Sequence, residues 1–127
     1  MRWLLETNVI GAFAGRADAV RAITNARTAE LDWIGYSAVT RLEALGFHGL
    51  TAGDELGLRN LLNQFSEAPI DAAVIEQAIE IRKSVRIKIP DALVAATAVI
   101  YEANLVTRNT IDFKNVRGLS ILDPATM

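Results

Sequence analysis

Apolar residues fall in two patterns along this chain. Short unbroken runs alternate with stretches that repeat every three or four residues. Short runs suit strands buried on both faces, and the longer period suits helices packed on one side. Arg2 to Leu5 reads as a first strand, followed by a helix capped by Thr7 or Asn8 and running to about Ala14. A second helix is expected from about Ala17 to Ala26, and a second strand from Leu31 to Tyr36. Ser37 is a good N-cap for a helix to about Leu45, ended by Gly46. Thr51 to Asp54 resembles a capping box with Asp in the usual Glu place, opening a helix to about Gln64.

Phe65 to Ile70 reads as a strand weakened by Pro69. Asp71 caps a helix to about Val85, with Ala73, Ile75, Ala78, Ile79 and Ile81 among its apolar positions. Pro90 marks the start of the next helix, where its missing N–H costs nothing. That helix is expected to reach about Glu102 and to close at Asn104. Leu105 to Thr107 and Ser120 to Leu122 read as the last strands, the second ended by Asp123 and Pro124. Strands alternating with helices predict an α/β fold, a mostly parallel sheet covered on both faces. With no linker, repeat or low-complexity tract, residues 1–127 read as a single domain.

Composition narrows the chemistry. The chain is 51% hydrophobic with a mean hydropathy of +0.24. That richness predicts apolar surface beyond the monomer core, and so a homodimer or a protein partner. There is no cysteine, which excludes disulfides, zinc–thiolate sites and thiol catalysis. One histidine, His48, cannot form a His cluster, so a metal site would use oxygen ligands and favour Mg²⁺ or Mn²⁺. The longest apolar stretch, Ala92 to Tyr101, is about half a membrane span, and Glu6 interrupts the N-terminus too early for a signal core. A soluble, cytoplasmic protein is expected.

Four acids stand out by position. Glu6 follows the first strand, Asp91 lies in a first helical turn, and Asp112 comes just after the strand ending at Thr107. Glu43 lies on the helix after the second strand. Open parallel sheets bind ligands beyond the carboxyl ends of their strands, and these acids point to that edge. Two like charges at about 4 Å cost about 4 kcal/mol at an effective dielectric of 20. Convergence therefore requires a divalent cation or raised pKa values. Each acid also has a structural reading: Asp91 as partner of a helix dipole, Glu43 as a half-exposed helix carboxylate, Asp112 as a turn former. Glu6, behind a buried strand, is the hardest to explain that way.

The run Leu4-Leu5-Glu6-Thr7-Asn8-Val9-Ile10 resembles the opening motif of PIN domains, L-L-D-T-N-V-I/L. Ser37-Ala-Val-Thr40-Arg-Leu-Glu43 resembles their second, S-x-x-T-x-x-E. The segment Asp91 to Ala98 resembles the third, D-A-L-I-A-A-T-A, and Leu105 to Phe113 the fourth, L-V-T-R-N-x-x-D-F. Order and spacing agree over almost the whole chain.

The resemblance implies a three-layer α/β/α sandwich, with Glu6, Glu43, Asp91 and Asp112 as metal-binding, catalytic carboxylates for one or two Mg²⁺ or Mn²⁺ ions. It implies that Thr7, Thr107 and Asn109 orient the carboxylates or position a water. Within the family the chain looks like VapC toxins. Those are endoribonucleases, often acting on a tRNA or a ribosomal RNA loop, usually homodimeric and held inactive by a cognate antitoxin. The expected reaction is phosphodiester hydrolysis by a metal-activated water, leaving a 5′-phosphate and a 3′-hydroxyl.

One position departs from the pattern: Glu6 stands where the family ordinarily has aspartate. The extra methylene moves the carboxylate by roughly 1.5 Å, one C–C bond. Two alternatives follow. One is a PIN-fold binding module with a weakened site. The other is a different strand-end-carboxylate phosphate hydrolase, a haloacid-dehalogenase-type phosphatase, or a receiver domain. The phosphatase wants D-x-D-x-T after its first strand, where this chain has Glu6-Thr7-Asn8. The receiver wants an adjacent acidic pair, which is absent there.

Net charge is −2; taking away four carboxylate charges held on metal leaves +2, so the balance is a weak objection to RNA. Arg82, Lys83, Arg86 and Lys88 precede Asp91, while Arg108, Lys114 and Arg117 flank the fourth motif. Lys88 and Arg108 are the best placed for RNA contact, against the plainer reading of dipole partners and solvated surface. Trp3 reads as core, Trp33 as core or interface, and His48 as a loop residue. The apolar segment from Gly46 to Leu62 is either ordinary packing or a clip for an antitoxin helix.

Overall fold

The structure is a computed structural model that describes residues 1–13 and 30–126. The helix expected from Ala17 to Ala26 lies outside the described residues. Five strands, β1 (Arg2–Leu5), β2 (Trp33–Ser37), β3 (Ser66–Ala68), β4 (Asn104–Val106) and β5 (Ile121–Leu122), form one sheet in the order β3-β2-β1-β4-β5. Every pairing is parallel. The helices are α1 (Thr7–Phe13), α2 (Ala38–Leu45), α3 (Ala52–Leu62), α4 (Ala72–Ser84), α5 (Ile89–Ile100) and the short α6 (Thr110–Phe113). A 3₁₀ turn, Pro124–Thr126, ends the described chain.

The period of two along β1 assigns the two core faces. Leu4 and its neighbour Leu105 on β4 pack with Val74, Ala78 and Ile81 of α4 and with the buried alanines of α5. Trp3, Leu5 and Val106 face the other way, against Val9 and Ile10 of α1 and Leu58, Leu61 and Leu62 of α3. Both faces are therefore covered, which is why these strands read as unbroken apolar runs. Ala92, Ala95, Ala96 and Ala98 let α5 sit close to the sheet.

Local signals explain most boundaries. The Ser37 hydroxyl accepts the Val39 N–H at 3.1 Å, Thr51 accepts from Asp54 at 3.1 Å, and Asp71 accepts from Val74 at 3.0 Å. Four expectations change. The cap of α1 is Glu6, whose carboxylate accepts the Asn8 N–H at 3.1 Å, and neither Thr7 nor Asn8. Helix α5 closes through Glu102, held at φ 52°, with Ala103 N–H on the Ala98 carbonyl at 2.9 Å; Asn104 belongs to β4. Only Val74, Ala78 and Ile81 of α4 turn inward, because one 3.6-residue face accepts one stripe. Ala73, Ile75 and Ile79 lie on its exposed side. Strand β3 is confined to Ser66–Ala68, stopped by Pro69 at the sheet edge.

At the opposite sheet edge from the acids, the Trp33 and Tyr101 rings stack at 5.0 Å, with the Arg2 guanidinium over both. Trp33 is half-buried there, and Trp3 is fully buried. Gly35, paired to Leu4, sits under that stack: a Cβ would run into the Trp33 indole and the Ser66 carbonyl oxygen. Gly35→Ala should therefore destabilise the fold by about 1–3 kcal/mol, as overpacking against backbone does. Urea unfolding measures this. A midpoint within error of the parent would mean that β2 and β3 do not approach as closely as described.

Candidate metal and active site

The chain runs β1, β2, β3 to one side and then returns to place β4 and β5 on the other, so the order reverses between β1 and β4. Beyond the carboxyl ends of those two strands lies the natural ligand crevice of such a sheet. Glu6 occupies it. Its N–H donates to the Val106 carbonyl at 3.0 Å, which ties the residue to the end of β4, and it is 8% exposed. Burial raises the Glu6 pKa, and the charges of Asp91 and Glu43 raise it further. The Asn8 N–H and the Thr107 hydroxyl oppose this only in part.

The other acids arrive from three elements. Glu43 projects from α2, which Ser37 starts at the end of β2. Thr7 donates its hydroxyl to Glu43 Oε1 at 2.7 Å, so the Thr40 hydroxyl, 3.1 Å away, is left to donate to Thr7. Asp91 is half-buried in the first turn of α5. Its pKa is raised by burial first, then by Asp112 and Glu43, with Lys88 pulling the other way. Asp112, on α6, accepts from the Asn109 side-chain amide at 2.6 Å.

Asp91 thus lies within electrostatic reach of the other three acids expected from the chain order, and Glu43 also reaches Glu6. Thr7 and Asn109 each hold one of them, and Thr107 stands beside Glu6. Two further residues matter that were not singled out for the site. Asn8 bridges the crevice: its amide donates to Thr107 Oγ1 at 3.4 Å and its carbonyl oxygen accepts the Arg108 N–H at 3.2 Å. Buried Thr40 supports Thr7. Thr40 lies three residues before Glu43, a spacing that puts both on one helix face, and that was the available signal. Nothing local marks Asn8, because its partner lies 99 residues away.

The donor set suits a hard divalent cation. It is all oxygen, and among the described residues none of the four acids forms an ion pair. No three acids among the described residues form a ready cage by themselves. Mg²⁺ does not need one, since it keeps several waters and commonly takes one or two carboxylates. His48 is exposed in the turn after α2.

Two hollows flank the acids. One, of about 450 Å³, is lined by Arg82, Arg86, Lys88, Asp91, Asp112 and others. The other, of about 550 Å³, includes Thr7, Glu43, Phe47, Leu50 and Leu58. The apolar segment from Gly46 to Leu62 divides accordingly: Leu58, Leu61 and Leu62 are core, while Phe47 and Leu56 are exposed. No described helix is long and apolar enough to cross a membrane.

The raised carboxyls carry a pH signature. Glu6 and Asp91 bind protons more tightly folded than unfolded, so their contribution to stability is greatest at acid pH and is lost as pH rises through their folded values. In EDTA, the part of stability due to this pair should fall from about pH 4 upward, the ordinary carboxylate range. Mn²⁺ should raise Tm more at pH 7 than at pH 5. Calorimetry at both pH values tests it; equal metal effects would contradict the coupling.

Residues 3–119 match the PIN domain family model. Among solved structures, VapBC2 from Rickettsia felis, bound to a DNA fragment from its promoter, superposes with a TM-score of 0.83 at 21% identity, covering 97% of this chain and 98% of that one. A toxin–antitoxin complex from Klebsiella pneumoniae gives 0.72 at 29% identity, covering 94% of each chain. FitAcB from Neisseria gonorrhoeae gives 0.76 at 24%, covering 98% and 99%. A search of curated proteins finds no match. PIN domains are nucleases that generally use divalent metal ions, and the family match sets aside the phosphatase and receiver alternatives. With the motifs in register, the strand order and the match over residues 3–119, the chain belongs to the PIN-domain family.

Proposed function

We propose that this chain is a Mg²⁺- or Mn²⁺-dependent endoribonuclease, the toxin of a toxin–antitoxin pair, which inhibits translation by cutting a tRNA or ribosomal RNA. The observation that carries the reading is a buried carboxylate, Glu6, at the switch point of a parallel sheet, with no cationic partner among the described residues, with Asp91 and Glu43 as its charged neighbours and Asp112 next to Asp91. Such an arrangement is costly in water alone and favourable around a divalent cation.

One or two of the four carboxylates would hold the ion directly, and the others would hold its waters. When bound, it supplies a water acidic enough to deprotonate near neutral pH and offsets charge on the phosphoryl oxygens. The protein's own groups orient and neutralise. Thr7, backed by Thr40, fixes the Glu43 carboxylate, and Asn109 fixes that of Asp112. Asn8 keeps the ends of β1 and β4 together, so Glu6 and the Thr107 segment move as one unit. Lys88 and Arg108 flank the acids and would steady the RNA phosphates. The products would carry a 5′-phosphate and a 3′-hydroxyl.

The Klebsiella pneumoniae relative is a toxin–antitoxin complex by description, which supports a cognate antitoxin here too. The hollow beside Glu43, with exposed Phe47, would take its apolar helix. A homodimeric, single-domain, cytoplasmic protein completes the reading.

The test is direct. Purified protein with Mn²⁺ and end-labelled tRNA should give discrete fragments with 5′-phosphates, abolished by EDTA. Intact RNA at millimolar Mn²⁺, with no heat of Mn²⁺ binding, would leave a PIN-fold binding module in its place.

A further inference from the structure

We propose that the cationic cleft on the α4–α5 side of the acids is a subsite for one unpaired nucleotide of the RNA, the neighbour of the bond to be cut. This rests on the ribonuclease reading and adds that the substrate strand lies on that side of the acids.

The cleft contains two of the four acids, Asp91 and Asp112, and three cations, Arg82, Arg86 and Lys88. At about 450 Å³ it lies within the range of small-molecule sites and suits a single nucleotide, not a duplex. Among the described residues Arg41 pairs with Glu67, Arg59 with Glu55 and Lys83 with Glu80. The three cleft cations form no ion pair among the described residues. Three like charges within seven residues of chain repel, and a phosphate relieves them.

The wall is also shaped in advance. Arg82 donates its Nε–H to the Ile87 carbonyl at 3.2 Å, and Ile87 is buried, so the turn between α4 and α5 is anchored. The terminal guanidinium nitrogens of Arg82 remain for an anion. On the rim, Ile111 is 72% exposed and offers an apolar surface to a base, while the Asn115 amide can hydrogen-bond a base edge. The hollow on the other side of the acids differs in kind. Among the described residues its lining holds Glu43, Asp54, Phe47 and Leu50 and no lysine or arginine, so they offer a phosphate no cation.

The experiment is fluorescence anisotropy of a labelled eight-nucleotide single-stranded RNA in EDTA, where no cleavage occurs. Arg86→Gln should weaken binding by about 5- to 10-fold and flatten the slope of log K against log salt by about 0.7, the value for one lost single-strand phosphate contact. Arg82→Gln combined with Arg86→Gln should roughly double the slope change. Arg59→Gln, on α3, should change neither. Because the double variant removes a bond that holds the turn, the single Arg86→Gln result decides. An unaltered affinity and slope for Arg86→Gln would overturn the cleft while leaving the ribonuclease reading intact, and so would equally tight binding of the duplex form of that RNA. Failure of the parent protein to bind the single strand at low salt would sink both.

Discussion

Asp91→Asn should slow RNA cleavage by about 10²–10³-fold and yet make the metal-free protein more stable. Asparagine is nearly isosteric with aspartate, keeps a polar atom in the first turn of α5, and removes one negative charge from the acid cluster. Loss of one preorganised charged contact at a reacting phosphate typically costs about 10²–10³-fold in rate. In the absence of metal the same charge is unfavourable, because Asp91 is partly buried and faces Asp112 and Glu43. Its removal should raise the unfolding free energy by up to about 1 kcal/mol, a modest figure since Asp91 is half exposed to solvent screening. Opposite signs of activity and stability separate this outcome from simple misfolding, which would lower both. Cleavage assays beside calorimetry in EDTA give the comparison. A variant that cuts RNA at the parental rate would remove Asp91 from the chemistry.

Glu6→Asp is expected to raise activity. The Glu6 carboxylate turns back to accept the Asn8 N–H, and the Thr107 hydroxyl sits beside it. The longer side chain thus serves as the cap of its own helix. Aspartate is among the best N-caps, so α1 should start equally well with the shorter residue. The carboxylate would shift by roughly one bond length, about 1.5 Å. Displacements of order 1 Å at a reacting centre change rates by about 10²-fold, so restoring the family's usual geometry should give a gain of that order and tighter Mn²⁺ binding. Titration calorimetry and initial rates report both. If Glu6→Asp loses activity instead, the surrounding site is built for glutamate.

These two positions also show what could be read before the fold was known. Glu6 was conspicuous because an acid directly behind a buried strand has few structural uses. Asp91 was ambiguous, since a first-turn aspartate is adequately explained by a helix dipole. Its function-bearing property, like-charge coupling to Asp112 and Glu43, is a through-space fact. The boundaries divide in the same way. Ser37, Thr51 and Asp71 cap helices through their own sequence neighbours and were legible. The closure of α5 at Glu102 was not, because a left-handed glutamate follows from how the chain must turn into β4. Ile75 and Ile79 counted among the apolar positions of α4; only its packing showed which stripe is buried.

By itself the sequence determined the alternation of strands and helices, the oxygen-only chemistry left by the absence of cysteine, and the four acids with their motifs. Those depend on interactions within a few residues or on composition, which a linear chain displays openly. Tertiary structure alone decided the strand order with its reversal at β1 and β4, and the clasp of Asn8 on Thr107 and Arg108. It also decided the separation of the acids' surroundings into a cationic cleft and an apolar hollow. Each joins residues tens of positions apart, and their proximity is set by parallel crossovers and by which helix face the sheet buries.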